Sequence, residues 1–166
     1  MIEALPIADY HGEALASFDC GEEALNVLLR EYAGQNERKG VGRTYLLVDG
    51  DALIGYFALS AAEIRCEGLS ERQKKGLPRY PIPAIRIARF AISKSMQGRG
   101  YGDRMMRFAF GKCLAIALSV GVVFITVDAK PKAVPFYERF GLEKAIGTKM
   151  AYVIPVSVVA KAMGMI

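Results

Sequence analysis

The sequence has no tryptophan, a single histidine (His11) and only three cysteines (Cys20, Cys66, Cys113) in 166 residues. With one histidine and no HxxxH or CxxC spacing, a zinc site and a histidine-dependent triad are excluded, and no metal is expected. Three scattered cysteines make no disulfide framework, which fits a reducing compartment. Each reads as a small buried hydrophobe, because no basic neighbour marks it as a nucleophile. His11 lies in a loop-like stretch and reads as structural. Long hydrophobic runs are also missing. The longest, Cys113 to Val127, is 15 residues and holds Ser119, Gly121 and Thr126, whereas a membrane span needs about 20. The first residues show no basic segment leading into an apolar one, so no signal peptide is read. Repeats, low-complexity tracts and Pro/Gly/Ser linkers are absent. The expectation is a cytoplasmic protein without membrane contact, one domain over residues 1–166, long enough to bury about 70% of its unfolded surface.

Charge is what the chain has, in one place. The net charge is +5, but Arg65 to Arg107 contains eleven Lys/Arg against three acids, and the remainder is net acidic. Such a segment suits a polyanionic ligand, either a phosphate-rich cofactor or RNA, with a merely solvated basic face as the alternative.

The hydrophobic pattern gives an element order. Met1 to Pro6 reads as a strand. Asp19 reads as a helix cap with Glu22 three residues on, and Ala24, Leu25, Leu28, Leu29 and Tyr32 recur at helical spacing up to Gly34. Arg43–Val48 and Leu53–Ile64 form a hairpin across Asp49-Gly50-Asp51. A polar, basic stretch from Gly68 to Pro83 reads as a short helix and loop. Ala84–Ile92 is a strand with Ile85 and Ile87 on one face and Arg86 and Ala88 on the other. Gln97–Gly102 is a tight turn, Asp103–Ser119 a helix, and Val122–Val127 a strand covered on both faces. Pro131–Phe140 is a helix, Lys149–Ile154 a last strand, and Pro155 opens a closing helix. The class is α/β (α+β): a mixed sheet with helices on both sides.

Gln97-Gly98-Arg99-Gly100-Tyr101-Gly102 joins strand to helix. Glycines there let backbone N–H groups converge on an anion at the helix N-terminus. A Walker loop is excluded because GxxxxGK[ST] is absent, and a dinucleotide fingerprint because Asp103 stands where its third glycine belongs. A purely structural turn stays open. The Gln-x-x-Gly-x-Gly pattern of Gln97, Gly100 and Gly102, following Ile85-Arg86-Ile87-Ala88-Arg89-Phe90-Ala91-Ile92, resembles the pyrophosphate loop of GNAT-fold N-acetyltransferases. The resemblance implies acetyl-CoA as co-substrate, held by Phe90, Ala91, Ile92, Gln97, Gly98, Arg99, Gly100, Tyr101 and Gly102, and a GNAT fold with a mixed, mostly antiparallel sheet.

"FYERFGL", from Phe136 to Leu142, resembles the FYxxxGF element of the same superfamily, with Leu142 in place of the final Phe. It implies Tyr137 as the general acid that protonates the departing CoA thiolate, while packing is the competing role for this aromatic pair. Glu63 occupies a place where some acetyltransferases hold a base, but it reads as a polar strand end. Tyr80, Tyr101 and Tyr152 read as packing or rim residues.

The resemblance extends over nearly the whole chain. "FDCGEEALNVLLREYAGQNERKGVGRTYLL", "LPRYPIPAIRIARFAI" and "VDAKPKAVPFYERFGL" look like the GNAT toxins of bacterial type II toxin–antitoxin modules. Those enzymes acetylate the α-amino group of aminoacyl-tRNA and so block translation. Membership implies a homodimer, a ribbon-helix-helix antitoxin, and operator DNA met only through that antitoxin. Arg79, Arg86 and Arg89 are then the expected tRNA contacts. An α-amine with a pKa of about 8 is partly neutral at physiological pH, so no strong base is demanded. An acetyltransferase of a small amine or a protein lysine, and a non-catalytic partner of a DNA-binding antitoxin, are the alternatives.

Overall fold

The computed structural model describes residues 1–147 and 150–164. Seven strands are hydrogen-bonded in the order β1-β2-β3-β4-β5-β7-β6. They are β1 (Ile2–Pro6), β2 (Arg43–Asp49), β3 (Ala52–Ile64), β4 (Ile82–Ile92), β5 (Phe124–Asp128), β6 (Glu143–Lys144) and β7 (Ala151–Pro155). The β4–β5 ladder is parallel, while β1–β2, β2–β3, β5–β7 and β6–β7 are antiparallel. The helices are α1 (Glu23–Val27), α2 (Ala33–Lys39), α3 (Glu71–Lys74), α4 (Tyr101–Ala117), α5 (Val134–Arg139) and α6 (Val156–Ala162). The expected mixed sheet with helices is therefore present.

The chain forms two compact units, Met1–Ser60 with Ala88–Ala109, and Ala61–Ile87 with Phe110–Ile166. In the first, Leu29 and Ala33 of the helical segment pack with Leu46, Val48 and Tyr56 of the hairpin. The Tyr56 hydroxyl donates to the Leu25 carbonyl at 2.6 Å, and Phe18 meets the Tyr56 ring edge-on at 5.5 Å. In the second unit, Leu69, Ile82, Ala84, Phe124, Ala145 and Val153 form the core. All four residues from Phe124 to Val127 are buried. Since alternate strand residues face opposite ways, β5 is covered on both sides, as its apolar run requires.

Several expectations need correction. The first long helix does not stop near Gly34: α1 passes through a π-helical turn at Leu28–Tyr32 into α2 and ends before Gly40. Polar Gln35–Lys39 hid this extension, because that half turns mostly toward solvent. Asp19 is not the cap, since Glu22 occupies that position without a side-chain cap bond. Instead the Asp19 carboxylate accepts from the Gly21 amide (2.9 Å) and Asn26 Nδ2 (3.0 Å). Those two bonds hold its carboxyl below the usual range. The true capping box is Ser70 with Gln73, at the start of α3. α4 begins at Tyr101, so Tyr101 and Gly102 belong to its first turn rather than to the loop. Cys66 is only half-buried, its Sγ 3.1 Å from the Pro78 carbonyl, whereas Cys20 and Cys113 are buried as expected. The two-residue β6 is too short for any periodicity to mark it in the sequence. Lys149, the expected start of the last strand, lies outside the described residues.

Candidate active site

The loop between β4 and α4 is pinned from its own unit. Ser93 N donates to the Ile54 carbonyl and Lys94 N to the Asp19 carbonyl, each at 2.8 Å. Gln97 Nε2 donates to the carbonyls of Cys20 (2.8 Å) and Ile92 (2.9 Å). The Gln97 side chain is thus a brace that fixes the loop's entry, a role its motif position did not disclose. Gly98 and Gly100 then take φ of +76° and +83°, values that L side chains adopt only with strain. A Cβ built on either would meet nothing within 4 Å. The loop is therefore not glycine-rich through crowding by the protein: the conformation needs glycine, and the space beside it is open.

Arg104 N makes the first α-helical bond, to the Gly100 carbonyl at 3.3 Å. The amides of Gly100, Tyr101 and Gly102 precede that bond, so no carbonyl of the helix reaches them. They stand at the positive end of a 17-residue helix, flanked by the exposed side chains of Arg99 and Arg104. Such an arrangement can hold an anion through the backbone. Leading into it, Ala91 is buried and Phe90 and Ile92 are half-buried. These three lie past the stretch of β4 that pairs with β5, which ends at Ile87↔Val127.

Tyr137 sits in α5, behind the short 3₁₀ turn Pro131–Ala133. It is 8% exposed and meets Phe136 edge-on with ring centroids 5.4 Å apart. Its carbonyl accepts from Phe140 N (3.0 Å) and Leu142 N (3.3 Å), which close the helix. Burial pushes the phenol pKa up to about 12, so the proton is present at any physiological pH. A drier site makes the phenol a weaker acid, but it raises the proton affinity of a thiolate in the same way. Packing and proton donation are compatible here, since the ring is in the core and the hydroxyl is protonated.

The three arginines differ. Arg79 is exposed, in a cleft of about 550 Å³ shared with Lys74, Lys75, Glu67 and Glu71. Arg89 is half-buried and donates to the Ala88 carbonyl at 2.8 Å. Arg86 approaches Asp128 (Nε to Oδ2, 3.8 Å) and lines a second pocket, of about 400 Å³. Of the tyrosines outside the motif, Tyr152 is buried, Tyr101 is half-buried and Tyr80 is exposed. His11 is also exposed. No group of three or more His, Cys, Asp or Glu able to hold a metal occurs among the described residues. None of the described helices is long and apolar enough to cross a membrane.

A mixed sheet whose fourth strand leads through a positive-φ glycine loop into a long helix is the arrangement that the resemblance to acyl-CoA-dependent acyltransferases implies. The acetyltransferase (GNAT) domain family matches residues 7–150, and the chain belongs to that family. It is 32% identical over 130 residues to a tRNA-acetylating toxin of Mycobacterium tuberculosis (strain ATCC 25618 / H37Rv), covering 78% of each chain. It resembles the structure of AtaT complexed with acetyl-methionyl-tRNAfMet (TM-score 0.87, 28% identity, 98% of this chain and 99% of that one). It also resembles a tyrosine-to-phenylalanine variant of AtaT bound to acetyl-CoA and to the C-terminus of the antitoxin AtaR. There the TM-score is 0.81 and the identity 27%, over 98% of this chain and 97% of that one.

Proposed function

We propose that this acetyltransferase moves the acetyl group of acetyl-CoA onto the α-amine of aminoacyl-tRNA and so acts as a translation-blocking toxin. The similarity to a tRNA-acetylating toxin over 78% of each chain carries this reading. The positive-φ glycine loop at the head of α4 supports the cofactor half of it. In this reading the amides of Gly98 to Gly102 hold the pyrophosphate, with Arg99 beside it and Gln97 bracing the loop. Phe90, Ala91 and Ile92 carry the pantetheine arm and the thioester. The neutral amine attacks the thioester carbon and its nitrogen gives up one proton to water. The C–S bond breaks, the thiolate takes the Tyr137 proton, and water returns a proton to the phenol. Backbone amides at the strand end steady the tetrahedral oxyanion.

Arg79, Arg86 and Arg89 are the tRNA contacts of this reading, and Arg79, exposed in its cleft, is the cleanest of the three. The protein works in the cytoplasm as a homodimer of one-domain chains. A ribbon-helix-helix antitoxin neutralises it, and operator DNA is reached only through that antitoxin. The test is incubation with acetyl-CoA and bulk aminoacyl-tRNA, followed by mass spectrometry of the released aminoacyl esters. N-acetylated esters are expected. Their absence, with a small amine or a protein lysine acetylated instead, would replace this substrate.

A further inference from the structure

The pocket of about 400 Å³ is built wholly within the second unit, by the end of β3, by β4, β5 and β7, and by the turn after β6. Its floor follows the sheet register: Arg86 lies opposite Thr126, and Thr126 opposite Val153. Thr126 is buried, with Oγ1 donating to the Tyr152 carbonyl at 3.1 Å, so it forms floor rather than a ligand group. One wall is a close backbone contact between Gly68 and Gly147. Ile146 N (2.9 Å) and Gly147 N (3.1 Å) both donate to the Gly68 carbonyl, and a Cβ on Gly147 would overlap the Gly68 backbone.

Charge singles this pocket out. It draws Arg65, Glu67, Gly68 and Arg86 from the basic segment, yet it is lined by three carboxylates (Glu63, Glu67, Asp128) against two arginines (Arg65, Arg86). That balance disfavours a phosphate and favours a cation. Arg86 Nε is buried with no hydrogen-bond partner, 3.8 Å from Asp128 Oδ2. The guanidinium is thereby turned toward Asp128 without saturating it. The Arg86 side chain remains 42% exposed and that of Asp128 65%, so both keep polar atoms for a ligand. Asp128 closes β5, opposite Ala151, which fixes its backbone in the sheet. Its short side chain also has less rotamer freedom to lose than Glu63 or Glu67. A pocket of this size suits a single aminoacyl group, not an RNA helix.

We propose that this pocket receives the aminoacyl end of the substrate. The Asp128 carboxylate binds the α-ammonium, and the outer nitrogens of Arg86 bind an ester oxygen. Ile64, Ala145, Ala151 and Val153 then meet the amino-acid side chain. The assignment rests on the aminoacyl-tRNA reading and concerns binding only: the neutral amine that attacks is formed when the bound ammonium loses one proton to solvent water.

Three forms of the same bulk tRNA test it: aminoacylated, N-acetyl-aminoacylated and uncharged. Only the first carries an ammonium at its end. The wild-type protein should bind the aminoacylated form more tightly than the N-acetylated one, by roughly ten- to hundredfold, the range of one charge-assisted contact. Asp128→Asn should abolish that preference and raise KM for aminoacyl-tRNA by a similar factor. Affinity for uncharged tRNA and for acetyl-CoA should not change. Asp128→Glu, which keeps the charge, should retain part of the preference, so a loss caused by misfolding is told apart from a loss of charge. An Asp128→Asn protein that keeps the full preference overturns this assignment while the wild type's acetylation of aminoacyl-tRNA still stands. A wild type that neither prefers nor acetylates the aminoacylated form overturns both.

Discussion

The glycine loop and the region around Tyr137 carry their chemistry in different materials. In the loop the groups proposed to work are backbone amides, aimed by two residues at positive φ, with the Gln97 side chain used as a brace. Around Tyr137, and in the pocket with Arg86 and Asp128, the groups proposed to work are side chains whose properties are set by burial and by an ion pair. The contrast teaches that substitutions should act differently in the two places. In the loop almost any side chain is wrong, because of backbone conformation. In the second region the identity of single side-chain atoms matters, and the backbone enters only where Gly68 and Gly147 meet in the pocket wall.

The largest expected effect lies in the second region. Tyr137→Phe keeps the buried ring and removes one proton. General acid catalysis is worth about 10²–10⁴-fold, so turnover should fall by that much with acetyl-CoA affinity unchanged. Stopped-flow or single-turnover acetyl transfer measures it, and turnover within a few-fold of wild type would leave Tyr137 a packing residue. The loop should show the opposite split. Gly100→Val places a branched side chain at φ +83° in the open space beside the helix amides. Acetyl-CoA affinity should drop by roughly ten- to hundredfold, the value of one or two charge-assisted hydrogen bonds. Calorimetry on the folded variant reads this directly, and unchanged affinity would remove the loop from the cofactor site.

A smaller effect is expected at the surface. Arg79→Ala removes one exposed cation, so affinity for different tRNAs should weaken by a similar few-fold factor. The slope of log affinity against log salt should become shallower by about 0.7–0.9 for each phosphate no longer neutralised. Acetyl-CoA binding should stay constant, since Arg79 is not among the residues assigned to the cofactor. An unchanged slope would mean that Arg79 touches no phosphate, which its carboxylate neighbours Glu67 and Glu71 in the cleft make a sharp question.

These two materials also explain what could be read in advance. A backbone cradle is contiguous: Gln97, Gly98, Gly100 and Gly102 stand within six residues of one another, and strand–turn–helix order is visible from hydrophobic period alone. The side-chain pocket is assembled from five separated stretches, around Glu63 to Gly68, Arg86, Thr126 to Asp128, Ala145 to Gly147, and Ala151 to Val153. No spacing links Asp128 to Arg86. Only the parallel pairing of β4 with β5 brings them together, and the outward-facing Arg86 of an alternating strand was the one available clue. Gln97 shows the converse: its place in the motif was evident, but its bond to the Cys20 carbonyl depends on a segment 77 residues away. Likewise the apolar period stops at Tyr32, so α2, whose outward residues are polar, could not be seen from hydrophobicity.

The least effect at neutral pH separates the two regions most cleanly at alkaline pH. The Tyr137 phenol has an ordinary pKa of 10 when exposed and one of about 12 in its buried place. Below pH 10 it is protonated in both folded and unfolded chains and contributes no slope. Between 10 and 12 the unfolded chain loses that proton while the native one keeps it. Native protein then binds more protons, so its stability falls as pH rises, at up to about 1.4 kcal/mol per pH unit from this group. Buried Cys113, raised from 9.0 to about 12, adds to the fall from a lower starting pH. Tyr137→Phe deletes one contributor, so its stability curve from urea titrations at pH 9 to 11 should decline less steeply than that of the wild type. Gly100→Val introduces backbone strain and no titrating group, so its curve should lie below the wild type and parallel to it. If the Tyr137→Phe curve runs parallel as well, the phenol is not buried in solution, and the dry environment invoked for proton donation is absent.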